Sequence, residues 1–101
     1  RAPRELTYAD LPILAREDSI ASYRIDFAVE DRTGVLTRLS GAFADSGVSI
    51  AAVRQMQEEG GARLTVTTHE ARTADVDAAL AAITSADYVK EVLQVMRVEG
   101  S

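Results

Sequence analysis

Polar and apolar residues alternate along 23–29. Tyr23, Ile25, Phe27 and Val29 take one face, and Arg24, Asp26 and Ala28 take the other. A period of two predicts a strand with one buried face. The alternation stops at Glu30-Asp31-Arg32-Thr33-Gly34, whose residue types favour a turn. Leu36, Leu39 and Phe43, with Val35 and Ala42 beside them, then recur at spacings of three and four. This is the apolar stripe of an amphipathic helix, and Gly47 is the left-handed residue expected to end it. Ser49 to Gln57 predicts a second strand. Its apolar residues Ile50, Val53 and Met56 are spaced by three, which requires a bulge or a kink. Gly60-Gly61, preceded by Glu58 and Glu59, predicts a hairpin turn. Leu64 and Val66, flanked by Thr65, Thr67 and Thr68, form a third strand. Thr73 is the expected N-cap of a second helix, with Asp75 and Asp77 in its first turn complementing the dipole. Val76, Ala79, Leu80 and Ile83 are its buried stripe. Val89 to Val98 predicts a last strand that is apolar on both faces, with Val92, Met96 and Val98 on one and Leu93 and Val95 on the other.

The order βαββαβ predicts an α+β ferredoxin-like sandwich, a four-stranded antiparallel sheet with two helices on one face. The other face is left open. Arg24, Asp26, Arg63 and Thr65 suit water there, whereas Leu93 and Val95 point to a covering partner or a paired edge. Residues 1–21 carry no clean period and are interrupted by Pro3 and Pro12. They read as an N-terminal arm or linker, with the folded domain over 22–101. Tyr8, Leu11, Ile13 and Leu14 in that arm are expected to pack on the domain or on something N-terminal to it.

Composition narrows the function. One domain accounts for 101 residues, and a chain of this size buries roughly 65% of its unfolded surface without staples. Cysteine is absent, which removes disulfides, thiolate metal sites and Cys nucleophiles, and fits a reducing, cytoplasmic setting. A net charge of -5 argues against nucleic acid, whose phosphates need clustered Lys and Arg. No apolar run approaches the ~20 residues of a membrane span. His69 is the lone histidine and reads as a surface residue. No glycine-rich phosphate loop, zinc spacing or nucleophile elbow occurs, and no paired acid, base or nucleophile stands out, so the expected role is binding rather than catalysis.

The stretch Asp31-Arg32-Thr33-Gly34-Val35-Leu36 carries the chemistry. The free N–H groups of a helix's first turn bind carboxylates, Gly34 allows close approach, and Asp31 can meet an ammonium group. Such a turn suits a free α-amino acid. The alternative is that Asp31 or Thr33 caps the helix and Gly34 serves the turn alone.

This turn, followed by Phe43-Ala44-Asp45-Ser46-Gly47-Val48-Ser49-Ile50, resembles the ACT domain family, whose pattern is D/N-R-P-G-V-L, a helix, then F-A-x-x-G-V-N/S-I. The resemblance covers 31–50 in detail and about 22–98 in element order. Further segments resemble the C-terminal region of bacterial homoserine dehydrogenases. They are Tyr8-Ala9-Asp10-Leu11-Pro12-Ile13, Val53-Arg54-Gln55, Val66-Thr67-Thr68-His69 and Val95-Met96-Arg97-Val98-Glu99-Gly100.

The resemblance implies a regulatory domain that senses threonine or a related amino acid where two copies meet. The catalytic portion, which uses NADP or NAD to reduce aspartate semialdehyde, would lie N-terminal to it. No cofactor or metal is expected in this chain, and neither a nucleic-acid nor a membrane partner. The implied ligand contacts are Asp31, the backbone of Thr33, Gly34, Val35 and Leu36, and Ser49 with Ile50 at the start of the second strand, the polar residue there often coming from the partner copy. Gln55 is added for its polarity within that strand. Thr33 stands where the family has proline, so the turn has more backbone freedom to lose. Ser49 reaches less far than the amide common in ligand-binding relatives. A structural dimerisation module with no ligand is the rival reading.

Overall fold

A computed structural model describes residues 20–98. Its elements are β1 (Ile20–Val29), α1 (Val35–Asp45), β2 (Ile50–Glu58), β3 (Gly61–Thr68), β4 (Ala71–Arg72), α2 (Thr73–Thr84) and β5 (Val89–Val98). The expected packing of the arm lies outside the described residues. β1 begins at Ile20, inside the expected arm. The ferredoxin-like order stands, with one addition. The two-residue β4 extends the predicted four strands to five by pairing with Ile20 and Ala21. β1 is central. It pairs antiparallel with β3 on one side and β5 on the other, and β2 pairs with the outer side of β3.

The alternation along β1 does what the sequence implies. Tyr23, Ile25, Phe27 and Val29 are buried with Leu39 and Phe43 of α1, Leu64 and Val66 of β3, and Val76, Leu80 and Ile83 of α2. Phe27 and Phe43 meet edge to face, with ring centroids 6.3 Å apart. α1 ends as expected. Gly47 adopts φ 83°, its N–H donates to the Ala44 carbonyl, and the Val48 N–H donates to the Phe43 carbonyl. These two bonds are the Schellman pattern, which satisfies carbonyls that the helix leaves open.

Several local expectations need correction. Val95 does not lie on the open face. It is buried opposite Ile25, because register shifts beside Phe27 and Val29 leave Leu93 and Lys90 as extra residues in β5. Each bulge resets the alternation, so Val89, Val92 and Val95, three apart, all pair with core residues of β1. Met96 pairs with Arg24 instead, and the Arg24 Nη2 donates to its Sδ at 3.5 Å. In β2 the bulge lies at Ala51. Ile50 and Val53 pack against the core, while Met56 faces out at 51% exposure.

Thr73 is the first residue of α2 rather than its N-cap, a position held by Arg72. Its buried hydroxyl shares a 2.8 Å hydrogen bond with the Tyr23 phenol, tying helix to sheet. Of the two acids, Asp75 alone lies in the first turn. The hairpin loop is Glu59-Gly60, since Glu58 pairs with Gly61, which is already strand.

Gly61 is needed for clearance. A Cβ there would sit 2.5 Å from the Val29 carbonyl oxygen and 3.0 Å from the Lys90 amine. The carbonyl belongs to the central strand and has little room to move. Gly61→Ala is expected to destabilise the fold by about 1–3 kcal/mol through overpacking. A urea titration checks this, and an unchanged midpoint would show that the strand ends part without cost.

Candidate functional site

The turn between β1 and α1 is held from both ends. The Glu30 N–H donates to the Tyr88 carbonyl at 2.9 Å, which fixes the end of β1 against the loop before β5. The Arg32 guanidinium bridges that gap, with Nε 3.1 Å from Glu30 Oε1 and Nη2 3.1 Å from Asp87 Oδ1. Arg32 is therefore engaged within the chain. Gly34, at φ 90°, is the N-cap of α1, and no side chain hydrogen-bonds to cap the first turn. Neither Asp31 nor Thr33 therefore caps the helix with its side chain. The Val35 N–H donates to the Arg32 carbonyl at 3.4 Å, and the N–H groups of Leu36 and Thr37 keep their capacity to meet an anion.

Beside this turn lies a cavity of 150 Å³ lined by Val29, Glu30, Asp31, Arg32, Gly34, Val35, Leu36, Gln55, Ala62 and Leu64. Pockets for drug-sized ligands run to roughly 300–1,000 Å³, so this one suits a small molecule. Its floor is apolar, because Val29, Val35, Ala62 and Leu64 are core residues. Polar groups stand at the edge. The Asp31 carboxylate accepts a 3.0 Å hydrogen bond from the Gln57 amide at Oδ2. Among the described residues its Oδ1 receives none. Gln55 is placed by register opposite Leu64, on the helix side of the sheet.

Five of the eight residues expected at the site, Asp31, Gly34, Val35, Leu36 and Gln55, line this cavity. Thr33 instead lines a smaller adjoining recess with Arg32, Val35, Arg38 and Tyr88, where the Arg38 guanidinium lies 5.9 Å from the Tyr88 ring centroid. Burial raises the Tyr88 pKa above its ordinary value, against the lowering influence of Arg38. Ser49 and Ile50 are elsewhere within one chain. They line a separate depression with Ser40, Ala44, Gly47 and Val48, at the C-terminal end of α1. Ser49 and Gln57 are about 25 Å apart along the strand at ~3.3 Å per residue, too far for one small ligand.

Gln57 is the residue that sequence reading missed. The signal was present, since residues two apart in a strand share a face, and Gln55 and Gln57 are such a pair.

The two edges of the sheet differ. β5 carries two bulges that disrupt its alternation. β2 is regular from Ala52 to Glu58, mostly exposed, and has no partner on its outer side among the described residues. Long, regular, unprotected edges are where strands of another copy add. Among the described residues, no helix is long and apolar enough to cross a membrane. No group of three or more His, Cys, Asp or Glu there could hold a metal ion.

Comparisons with known proteins agree with this architecture. The ACT domain family model matches residues 23–87. Homoserine dehydrogenase of Corynebacterium glutamicum is 38% identical over 99 residues, covering 98% of this chain and 22% of that protein. Homoserine dehydrogenase of Mycobacterium tuberculosis is 38% identical over 107 residues, covering 100% of this chain and 24% of the relative. The chain thus spans about a quarter of the length of these curated relatives. Among solved structures, a homoserine dehydrogenase from Thiobacillus denitrificans superposes with a TM-score of 0.73 at 30% identity, covering 82% of this chain and 18% of that one. The ACT domain from GTP pyrophosphokinase of Chlorobium tepidum shares the fold, with a TM-score of 0.50 at 16% identity over 85% of this chain and 92% of that one. With this family match over the βαββαβ core and the turn that carries its motif, the chain belongs to the ACT domain family.

Proposed function

We propose that this chain is the amino-acid-sensing regulatory domain of a homoserine dehydrogenase, binding threonine or a related amino acid where two copies meet. The observation that carries the reading is the cavity beside an uncapped helix start, with a carboxylate at its rim and an amide in its wall. The ligand carboxylate meets the first-turn N–H groups of Leu36 and Thr37, and its ammonium meets Asp31. Its short side chain enters the apolar floor beside Gln55.

Dimer geometry completes the site. Two copies pairing antiparallel along β2 bring the start of one β2 beside the end of the other. Ser49 and Ile50 of the partner subunit then approach the turn at Asp31, and two equivalent sites form across the twofold axis. A ligand that prefers this arrangement shifts the attached catalytic portions between active and inhibited states. In those portions NADPH or NADH reduces aspartate semialdehyde to homoserine, and threonine inhibits as an end product.

The exposed β2 edge also favours the second reading, a dimerisation module with no ligand. A thermal melt against threonine, isoleucine, methionine and serine separates the two. Threonine at 100 times its dissociation constant stabilises by about 2.7 kcal/mol, which raises the melting temperature of a domain this size by roughly 10–20 °C. A selective shift with threonine is expected. No shift with any amino acid, together with a tight dimer in sedimentation, would leave assembly as the function.

A further inference from the structure

We propose that Gln57 is a positioning residue that holds the Asp31 carboxylate ready for the ammonium group of an amino-acid ligand, acting from outside the cavity. This rests on the amino-acid reading of the turn. Gln57 pairs with Ala62 and therefore lies on the helix side of the sheet, two residues beyond Gln55. Gln55 lines the cavity and Gln57 does not. The Gln57 Nε2 donates to Asp31 Oδ2 at 3.0 Å, and Oδ1 receives no hydrogen bond among the described residues. One oxygen of the carboxylate is thus tied back to the sheet, and the other remains for a ligand.

The need for such a tie is physical. Asp31 is exposed and lies in the irregular segment between β1 and α1, where no packing restricts its rotamers. β2 is held in register by β3, so a bond from Gln57 transmits the order of the sheet to the turn. A ligand that meets an already oriented carboxylate loses less freedom on binding.

The test is an NMR shift titration of the full chain with threonine and with 3-hydroxybutyrate, which keeps the carboxylate and the hydroxyl but has no ammonium. In Gln57→Leu, threonine binding should weaken roughly three- to tenfold, less than the loss of a hydrogen bond to a charged group, because Gln57 orients Asp31 and does not itself meet the ligand. Affinity for 3-hydroxybutyrate should change less than twofold, and the melting temperature of the free chain should stay the same. A general structural defect would weaken both ligands alike. Equal losses for the two ligands, or unchanged threonine affinity, would overturn the proposal. If the wild-type chain binds no amino acid, the reading of the turn itself fails and this inference falls with it, an outcome visible before any variant is made.

Discussion

Phe27→Ala is expected to leave the domain at the edge of unfolding. Phe27 is fully buried in the central strand and meets Phe43 of α1 edge to face. Its removal takes away transfer free energy and leaves a cavity that β1 cannot close, because that strand is locked in register by β3 on one side and β5 on the other. Losses for buried Phe→Ala run to about 3–5 kcal/mol. A whole domain holds only about 5–15 kcal/mol. At roughly 4–8 °C per kcal/mol, the melting temperature should fall by more than about 12 °C. Leu36→Ala is the control. Leu36 is also a large apolar residue of α1 but is 41% exposed, so its truncation should cost less than about 1 kcal/mol. Similar losses in the two variants would contradict the assignment of the core.

Asp31→Ala should abolish most amino-acid affinity and leave the fold untouched. The carboxylate is exposed, and its hydrogen bond among the described residues is the one from Gln57. Surface changes of this kind move stability within about 0.5 kcal/mol. For binding the ledger is different. A hydrogen bond to a charged group is worth about 1.5–3 kcal/mol, or roughly ten- to a hundredfold in dissociation constant. Calorimetric titration with threonine, paired with a melt of the free variant, measures both. Threonine affinity within twofold of wild type would move the site away from this turn. A collapsed melt would instead show that Asp31 is structural.

The two variants probe levels that differ in how readable they are. The alternation of Tyr23, Ile25, Phe27 and Val29 and, in the helix stripe, Leu39 and Phe43 mark core positions without any structure, because side-chain period and burial are linked within a few residues, whereas Leu36 of the same stripe stays 41% exposed. The turn at 31–36 was legible for the same reason, since one short segment holds the helix start, its glycine and the acid. Gln55 could be placed on the strand, but its place in the wall of the cavity depended on register with Leu64. Thr73 looked like a cap from its local context. A buried tyrosine hydroxyl 50 positions away engages it instead.

Local pattern thus decided the order of the two helices and four main strands, the buried face of β1, the stop at Gly47 and the turn that offers donors and a carboxylate. Each depends on interactions within one or two turns of chain. Tertiary structure alone decided which way the last strand faces, because bulges at Leu93 and Lys90 reset its alternation and turn Val95 into the core. It alone joined Gln57 to Asp31, 26 positions apart, and placed Ser49 and Ile50 of the same chain away from the cavity. The reason is common to all three. Contacts between distant segments follow from strand register, and register is set by the packing of the whole sheet on its helices rather than by any one segment.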